Sequence, residues 1–127
     1  MINYKSRTYG KVKDISITQL KGLFESQKLS YLKIILLFGS RANDTASRQS
    51  DYDFAVYGDS RDAPFGLQAK AWIDISMLMD VSEYDIDVVD LATVNNLMKD
   101  SINSNFVILK GGDDEVSRLL EQNSRDC

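Results

Sequence analysis

Apolar residues recur along this chain in two rhythms, roughly every third or fourth position or in short runs and alternations, and each stretch predicts an element. Ser16 and Gln19 have the spacing of a capping box, and Ile17, Leu20, Leu23 and Phe24 follow as a helical stripe to about Lys28. Tyr31 to Phe38 is almost continuously apolar and reads as a buried strand. Gly39-Ser40 breaks it, and a polar turn follows with one helical turn over Arg41 to Asp44. Asp51 to Tyr57 reads as a second strand, and "GDSRDAP" as a loop. Phe65, Ala69, Trp72, Ile73, Ser76 and Met79 predict a long amphipathic helix over 65–80 with that stripe in the core. Tyr84 to Leu91 reads as a third strand. Val94, Leu97, Met98 and Ile102 suggest a helix, and Phe106 to Lys110 a short fourth strand. "GGDDEV" then opens a last helix over 113–123 with Val116, Leu119 and Leu120 inward. The order predicts an α+β (mixed α/β) domain, a small sheet flanked by helices.

Composition narrows the chemistry. The 127 residues are 43% hydrophobic and 27% charged, which is ordinary for one globular domain. A net charge of −4 argues against bulk nucleic-acid binding, which needs a positive footprint. Lys5, Arg7, Lys11 and Lys13 make a local basic arm within residues 1–14, best read as a solvated terminus. The chain has no histidine, so Ser-His-Asp triads and most zinc sites are excluded. The single cysteine, Cys127, cannot form an intrachain disulfide. The first residues do not read as a signal peptide, and the longest apolar run, Ile34 to Phe38, is too short to span a bilayer. A cytoplasmic protein is expected.

The candidate chemistry lies in "GSRANDTASRQSDYDFAV", residues 39–56. Strand side chains repeat direction every two residues, so Asp51 and Asp53 share one face and Tyr52 and Phe54 the other. Two ionised carboxylates so close repel each other unless a cation lies between them. Mg²⁺ suits that role, because it takes one or two carboxylates together with substrate phosphates. Asp85, Asp87 and Asp90 crowd the third strand, and one of them adds a third carboxylate if that strand lies beside the second. Three carboxylates can hold two ions about 3.5–4 Å apart, the clamp used for in-line phosphoryl and nucleotidyl displacement. Gly39 lets the backbone approach a phosphate, Ser40 can cap the short helix after it, and Arg41 is a charged donor close by.

Gly39, Ser40, Asp51 and Asp53 together resemble the signature of the DNA polymerase β type nucleotidyltransferase superfamily: Gly-Ser, ten residues, Asp-x-Asp. "LFGSRA" and "DVVDL" further resemble its small branch, the minimal nucleotidyltransferases, over roughly residues 31–110. The resemblance implies one nucleotidyltransferase domain over 1–127 with a mixed sheet and helices. It implies two Mg²⁺ ions on Asp51, Asp53 and Asp87, since the family's third metal-binding aspartate falls on Asp87, and ATP as co-substrate. Two departures stand in the turn: Asp44 where the family often has glycine, and Arg48-Gln49 where it often has a proline-acid pair. Minimal nucleotidyltransferases are known as antitoxins paired with HEPN-domain toxins, which are all-helical ribonucleases. The implied activity is transfer of AMP from ATP to a tyrosine hydroxyl of the toxin, in a hetero-oligomer. Alternatives are a purely binding antitoxin and a nucleotidyltransferase acting on a small hydroxyl compound or RNA. The acceptor would come from a partner or a small molecule, and the last helix is a candidate for contact with a partner.

Overall fold

Ser16 caps the first helix as its spacing requires: its hydroxyl accepts from the Gln19 N–H at 3.1 Å, and the Gln19 side chain accepts from the Ser16 N–H at 3.0 Å. The computed structural model describes residues 13–42 and 51–125, the last four as backbone alone. The basic arm up to residue 12, Asp44, Arg48, Gln49 and Cys127 lie outside the described residues. In chain order the elements are α1 (Ile17–Leu23), β1 (Leu32–Phe38), β2 (Tyr52–Gly58), α2 (Leu67–Met79), β3 (Ile86–Asp90), α3 (Asn96–Ser104), β4 (Phe106–Lys110) and α4 (Asp113–Arg125).

The strands form one mixed sheet in the order β3-β2-β1-β4. β1, whose residues are buried except for Lys33, is central and pairs antiparallel with both β2 and β4. β2 and β3 run parallel, so the chain between them must cross over, and α2 is the crossover. Alternation then sorts the apolar side chains onto two faces. Ile35, Leu37, Tyr52, Phe54, Ile86 and Val88 pack with Leu20, Ala71 and Ile75 of α1 and α2. Ile34, Leu36, Phe38 and Ala55 pack with Ile102 of α3 and Val116 and Leu120 of α4. Buried Lys99 ties the second layer together, its Nζ donating to the Leu119 carbonyl at 3.1 Å.

Several predicted elements shift. The first helix ends at Leu23, and Gln27–Leu29 form a separate 3-10 turn capped by Ser26, whose hydroxyl accepts from the Lys28 N–H. The helical turn after Gly39-Ser40 covers Gly39–Ala42. β3 begins at Ile86, because Glu83–Asp85 form a 3-10 turn capped by Ser82. In the third predicted helix Leu97 is exposed and Ile102 alone of the four stripe residues is buried. β4 has its expected bounds.

The largest correction concerns α2. Its buried residues are Leu67, Ala71, Ile75, Ser76 and Met79, whereas Phe65 and Ile73 of the predicted core stripe are exposed. This helix is apolar on two sides, so periodicity alone could not say which faces the sheet. The last helix resolves the other way: Val116 and Leu120 are buried and Leu119 packs against them. Those three side chains belong to the core and leave only the polar side of α4, with exposed Glu115 and Arg118, for contact. Among the described residues no helix is long and apolar enough to cross a membrane.

Candidate active site

The end of β1 sets the geometry of the site. Phe38, Asp53 and Asp87 lie in one row across three strands: Phe38 is the register partner of Asp53, and Asp53 of Asp87. Asp53 shares its strand face with Ala55, and Asp87 shares its face with Val89, both in the layer beneath α3 and α4. The sheet therefore brings these two aspartates side by side, with Asp51 one residue ahead of β2 on the same side.

Gly39 follows Phe38 with a φ of 77°, a left-handed conformation that favours glycine. A Cβ at this position would fall on an oxygen of the Asp53 carboxylate and lie 3.3 Å from its carboxyl carbon. The Asp53 side chain thus rests against the bare Cα of Gly39. The Gly39 carbonyl accepts a hydrogen bond from Asn105 Nδ2 at 3.0 Å, which fastens the turn to the junction of α3 and β4. Ser40 is half-buried in the Gly39–Ala42 turn.

Electrostatics mark the same group. Asp53 is half-buried, and its pKa is pushed up to about 6, first by burial and then by the charges of Asp87 and Asp51. Each carboxylate is thus close enough to disfavour ionisation of the middle one. Asp87 is exposed on the edge strand β3. Beside it opens a cavity of about 490 Å³, whose walls include Gly66, Gln68, Ala69, Trp72 and Asp90. α2 is pinned along this edge: Gln68 Nε2 donates to the Val88 carbonyl at 2.7 Å and Trp72 Nε1 to the Ile86 carbonyl at 3.2 Å.

The other two acids of the third strand are placed differently. Asp85 is fully buried in the turn before β3. Asp90 closes a turn, its Oδ1 accepting from the Ala92 N–H at 3.0 Å. Neither is a register partner of Asp51 or Asp53.

Arg41 is turned toward Asp14 and Tyr52. Its side chain is 8% exposed, ion-paired to Asp14 Oδ1 at 2.9 Å. Its guanidinium carbon lies 4.4 Å from the centre of the Tyr52 ring. Tyr52 stacks on Phe54 on the opposite side of β2 from the aspartates. A cation held over an aromatic face is stabilised there, so Arg41 braces the turn from behind. Tyr52 extends that brace, its hydroxyl donating to the Lys13 carbonyl and accepting from the Ile15 N–H, both at 2.8 Å. Sequence reading missed Asp14, Tyr52 and Asn105 as supports, since contacts this distant in sequence have no local pattern.

Among the described residues no three acidic or cysteine side chains are already drawn together at metal-binding distance. The donor set that the sheet assembles is oxygen-only and crowded enough to raise a pKa, which suits a hard divalent cation.

Residues 18–115 match the model of the family described as polymerase beta, nucleotidyltransferase. A curated relative, the protein adenylyltransferase MntA of Aphanizomenon flos-aquae, is 32% identical over 75 residues, which cover 57% of this chain and 50% of the relative. The chain thus spans about half the length of that relative. Among solved structures, a toxin-antitoxin crystallised with AMP-PNP matches with a TM-score of 0.68 at 20% identity, over 88% of this chain and 86% of that one. A complex of tri-AMPylated Shewanella oneidensis HEPN toxin with MNT antitoxin matches with a TM-score of 0.60 at 18% identity, over 87% and 86%. At such identities these structures share the fold.

Proposed function

Because the chain belongs to the polymerase beta nucleotidyltransferase family, we propose that it transfers AMP from ATP to a tyrosine hydroxyl of a cognate HEPN-domain toxin and so neutralises it. The observation that carries this reading is the meeting of Gly39, Asp53 and Asp87 at the end of β1. A turn with a bare Cα meets the Asp53 carboxylate, which the strand register sets beside Asp87, with Asp51 just ahead of the same strand. The relative named as a protein adenylyltransferase and the structure holding an AMPylated toxin support the choice of AMP and of a protein acceptor.

Asp51, Asp53 and Asp87 are the residues that would hold magnesium, two ions with ATP bound. Bound there, magnesium supplies charge neutralisation for the triphosphate and polarises the attacking and leaving oxygens. Gly39 and Ser40 lie against the phosphates. The turn backbone can approach them because no side chain projects from Gly39. Asp87, exposed at the sheet edge, takes the proton of the acceptor hydroxyl as the base. The hydroxyl oxygen attacks the α-phosphorus in line, the bond from that phosphorus to the bridging oxygen of the β-phosphate breaks, and pyrophosphate leaves. A tyrosine hydroxyl, with an ordinary pKa of about 10, gives up its proton more readily than serine. Arg41 acts only through the turn it braces. ATP supply puts the reaction in the cytoplasm.

The test is transfer of label from α-labelled ATP to the partner in the presence of Mg²⁺. Label on the toxin with release of pyrophosphate, lost in Asp53→Asn and in EDTA, is the expected result. Inhibition of the toxin by unlabelled complex formation alone would make the chain a masking antitoxin.

A further inference from the structure

The outward face of α2 is apolar where solvent should meet it. Ala69, Ile73 and Met77 recur every four residues along the helix, the spacing that lines one side of it, and Phe65, in the turn just before the Gly66 N-cap, walls the same hollow as Ala69 and Ile73. Phe65 is 89% exposed, Met77 67% and Ile73 47%. The fold does not need these side chains, because Leu67, Ala71, Ile75 and Met79 already bury the other side of the same helix. Contiguous exposed apolar stripes of this kind mark interaction surfaces.

Two hollows flank the stripe. One, of about 200 Å³, is walled by Pro64, Phe65, Ala69 and Ile73. The other is the larger cavity whose wall runs from Phe65 and Ala69 to Asp87. The stripe is therefore continuous with the candidate active site, and it joins that site on the β3 side. Gly39 meets Asp53 from the opposite side, through β1. A polypeptide lying on α2 would reach the exposed carboxylate of Asp87 without crossing the Gly39 turn. Asp62, Asp74, Asp87 and Asp90 line the two hollows, with Lys70 the one cation among their walls, so a basic rim on the visitor would be complementary.

We infer that this face, Phe65–Ala69–Ile73–Met77, docks the partner protein that carries the acceptor hydroxyl, seating an apolar segment of it in the two hollows. The identity of the visitor as acceptor rests on the function proposed above. The docking itself rests on the stripe. Anchors that fill pockets carry most of an interface's energy, so single changes should be felt.

The experiment pairs binding with transfer. The chain is co-expressed with the HEPN toxin encoded beside it, and Ile73→Glu, Met77→Glu and Phe65→Ser are compared with wild type. Leu97→Glu is the control, at an equally exposed apolar position on α3. The three stripe variants should bind the toxin roughly thirtyfold or more weakly and transfer correspondingly less AMP, while their affinity for MgATP and their melting temperatures stay unchanged. Leu97→Glu should bind like wild type. Toxin binding within about twofold of wild type in all three stripe variants overturns the inference, as does a wild-type chain that forms no complex. Loss of binding in Leu97→Glu alone would move the interface to the α3 side. Self-association of the chain by itself, abolished by Ile73→Glu, would seat a second copy on the stripe instead. A complex that the stripe variants break, but in which wild type transfers no label, refutes the proposed chemistry and leaves the docking surface standing.

Discussion

The carboxylate of Asp53 occupies the space that a side chain on Gly39 would need. Two residues fourteen positions apart are thereby locked as a pair: one must have no Cβ, and the other is held by that vacancy at the middle of the acidic row. The glycine of the Gly-Ser signature thus serves its own aspartate before it serves any phosphate.

Gly39→Ala should lose on both counts. The left-handed backbone penalises a Cβ by about 1–2 kcal/mol, and the Asp53 carboxylate must also move. Denaturant unfolding should show a loss of at least that size, and transfer should fall by roughly 100-fold or more, in the range of one misplaced catalytic group. A variant as stable and as active as wild type would show that the Gly39–Asp53 contact is incidental.

The raised pKa of Asp53 makes stability depend on pH in a stated direction. Its folded value is about 6, and a free aspartate sits near 3.9. Between the two the folded chain keeps a proton that the unfolded chain has released. The contribution of Asp53 to stability is therefore fully present below about pH 4 and is lost as pH rises through about 6. Asp53→Asn, which cannot ionise, should be equal to wild type near pH 4 and more stable than it at pH 8 without metal. Mg²⁺ should raise the wild-type melting temperature at pH 8 and not at pH 4.5, with a smaller effect on the variant. Melting curves across pH 4–8, with EDTA or Mg²⁺, measure this. A wild type that gains stability relative to Asp53→Asn as pH rises through 6 in EDTA contradicts the crowding.

Much of this was legible in the chain because the relevant rules are local. Ser16 and Gln19 found each other across three residues, and the period of two put Asp51 and Asp53 on one face. The choice among Asp85, Asp87 and Asp90 depended on strand register, which the sheet decides by aligning Asp53 with Asp87. The orientation of α2 was not legible, since Leu67, Ala71 and Ile75 compete with Phe65, Ala69 and Ile73 at the same spacing. Only packing against β3, through Gln68 and Trp72, selects the inner side. The surroundings of Arg41 were not legible for a similar reason: Asp14 is 27 residues away and the Tyr52 ring lies on β2.

Arg41 should behave as a support and not as a phosphate ligand. Arg41→Lys keeps the charge but loses the planar stacking on Tyr52, which is worth about 1 kcal/mol. Unfolding should show a loss of that order, while KM for ATP stays within about twofold in the complex. A tenfold rise in KM with unchanged stability would return Arg41 to the phosphates.

Asp87 should separate binding from turnover. It is the exposed member of the row, on the edge strand, and the cavity beside it runs toward α2 and away from Gly39. Its proposed work is at the acceptor: taking the proton of the hydroxyl. Asp53, by contrast, lies against the Gly39 turn, the side proposed for the nucleotide. Asp87→Asn keeps the shape and removes the charge, so it should lower transfer by roughly 100-fold to 10,000-fold, the span of general-base catalysis. Affinity for MgATP should fall by only a few-fold, since Asp53, the carboxylate against the Gly39 turn, remains. Asp51→Asn and Asp53→Asn should lose transfer entirely and weaken MgATP together with it. Toxin binding should survive Asp51→Asn and Asp53→Asn and fall only slightly in Asp87→Asn, which removes one charge at the rim of the docking cavity and none of the apolar anchors. Titrating MgATP and measuring AMP transfer on the same preparations gives both numbers. Equal losses of MgATP affinity and transfer in Asp87→Asn would make it one more nucleotide ligand and leave the acceptor proton without a base.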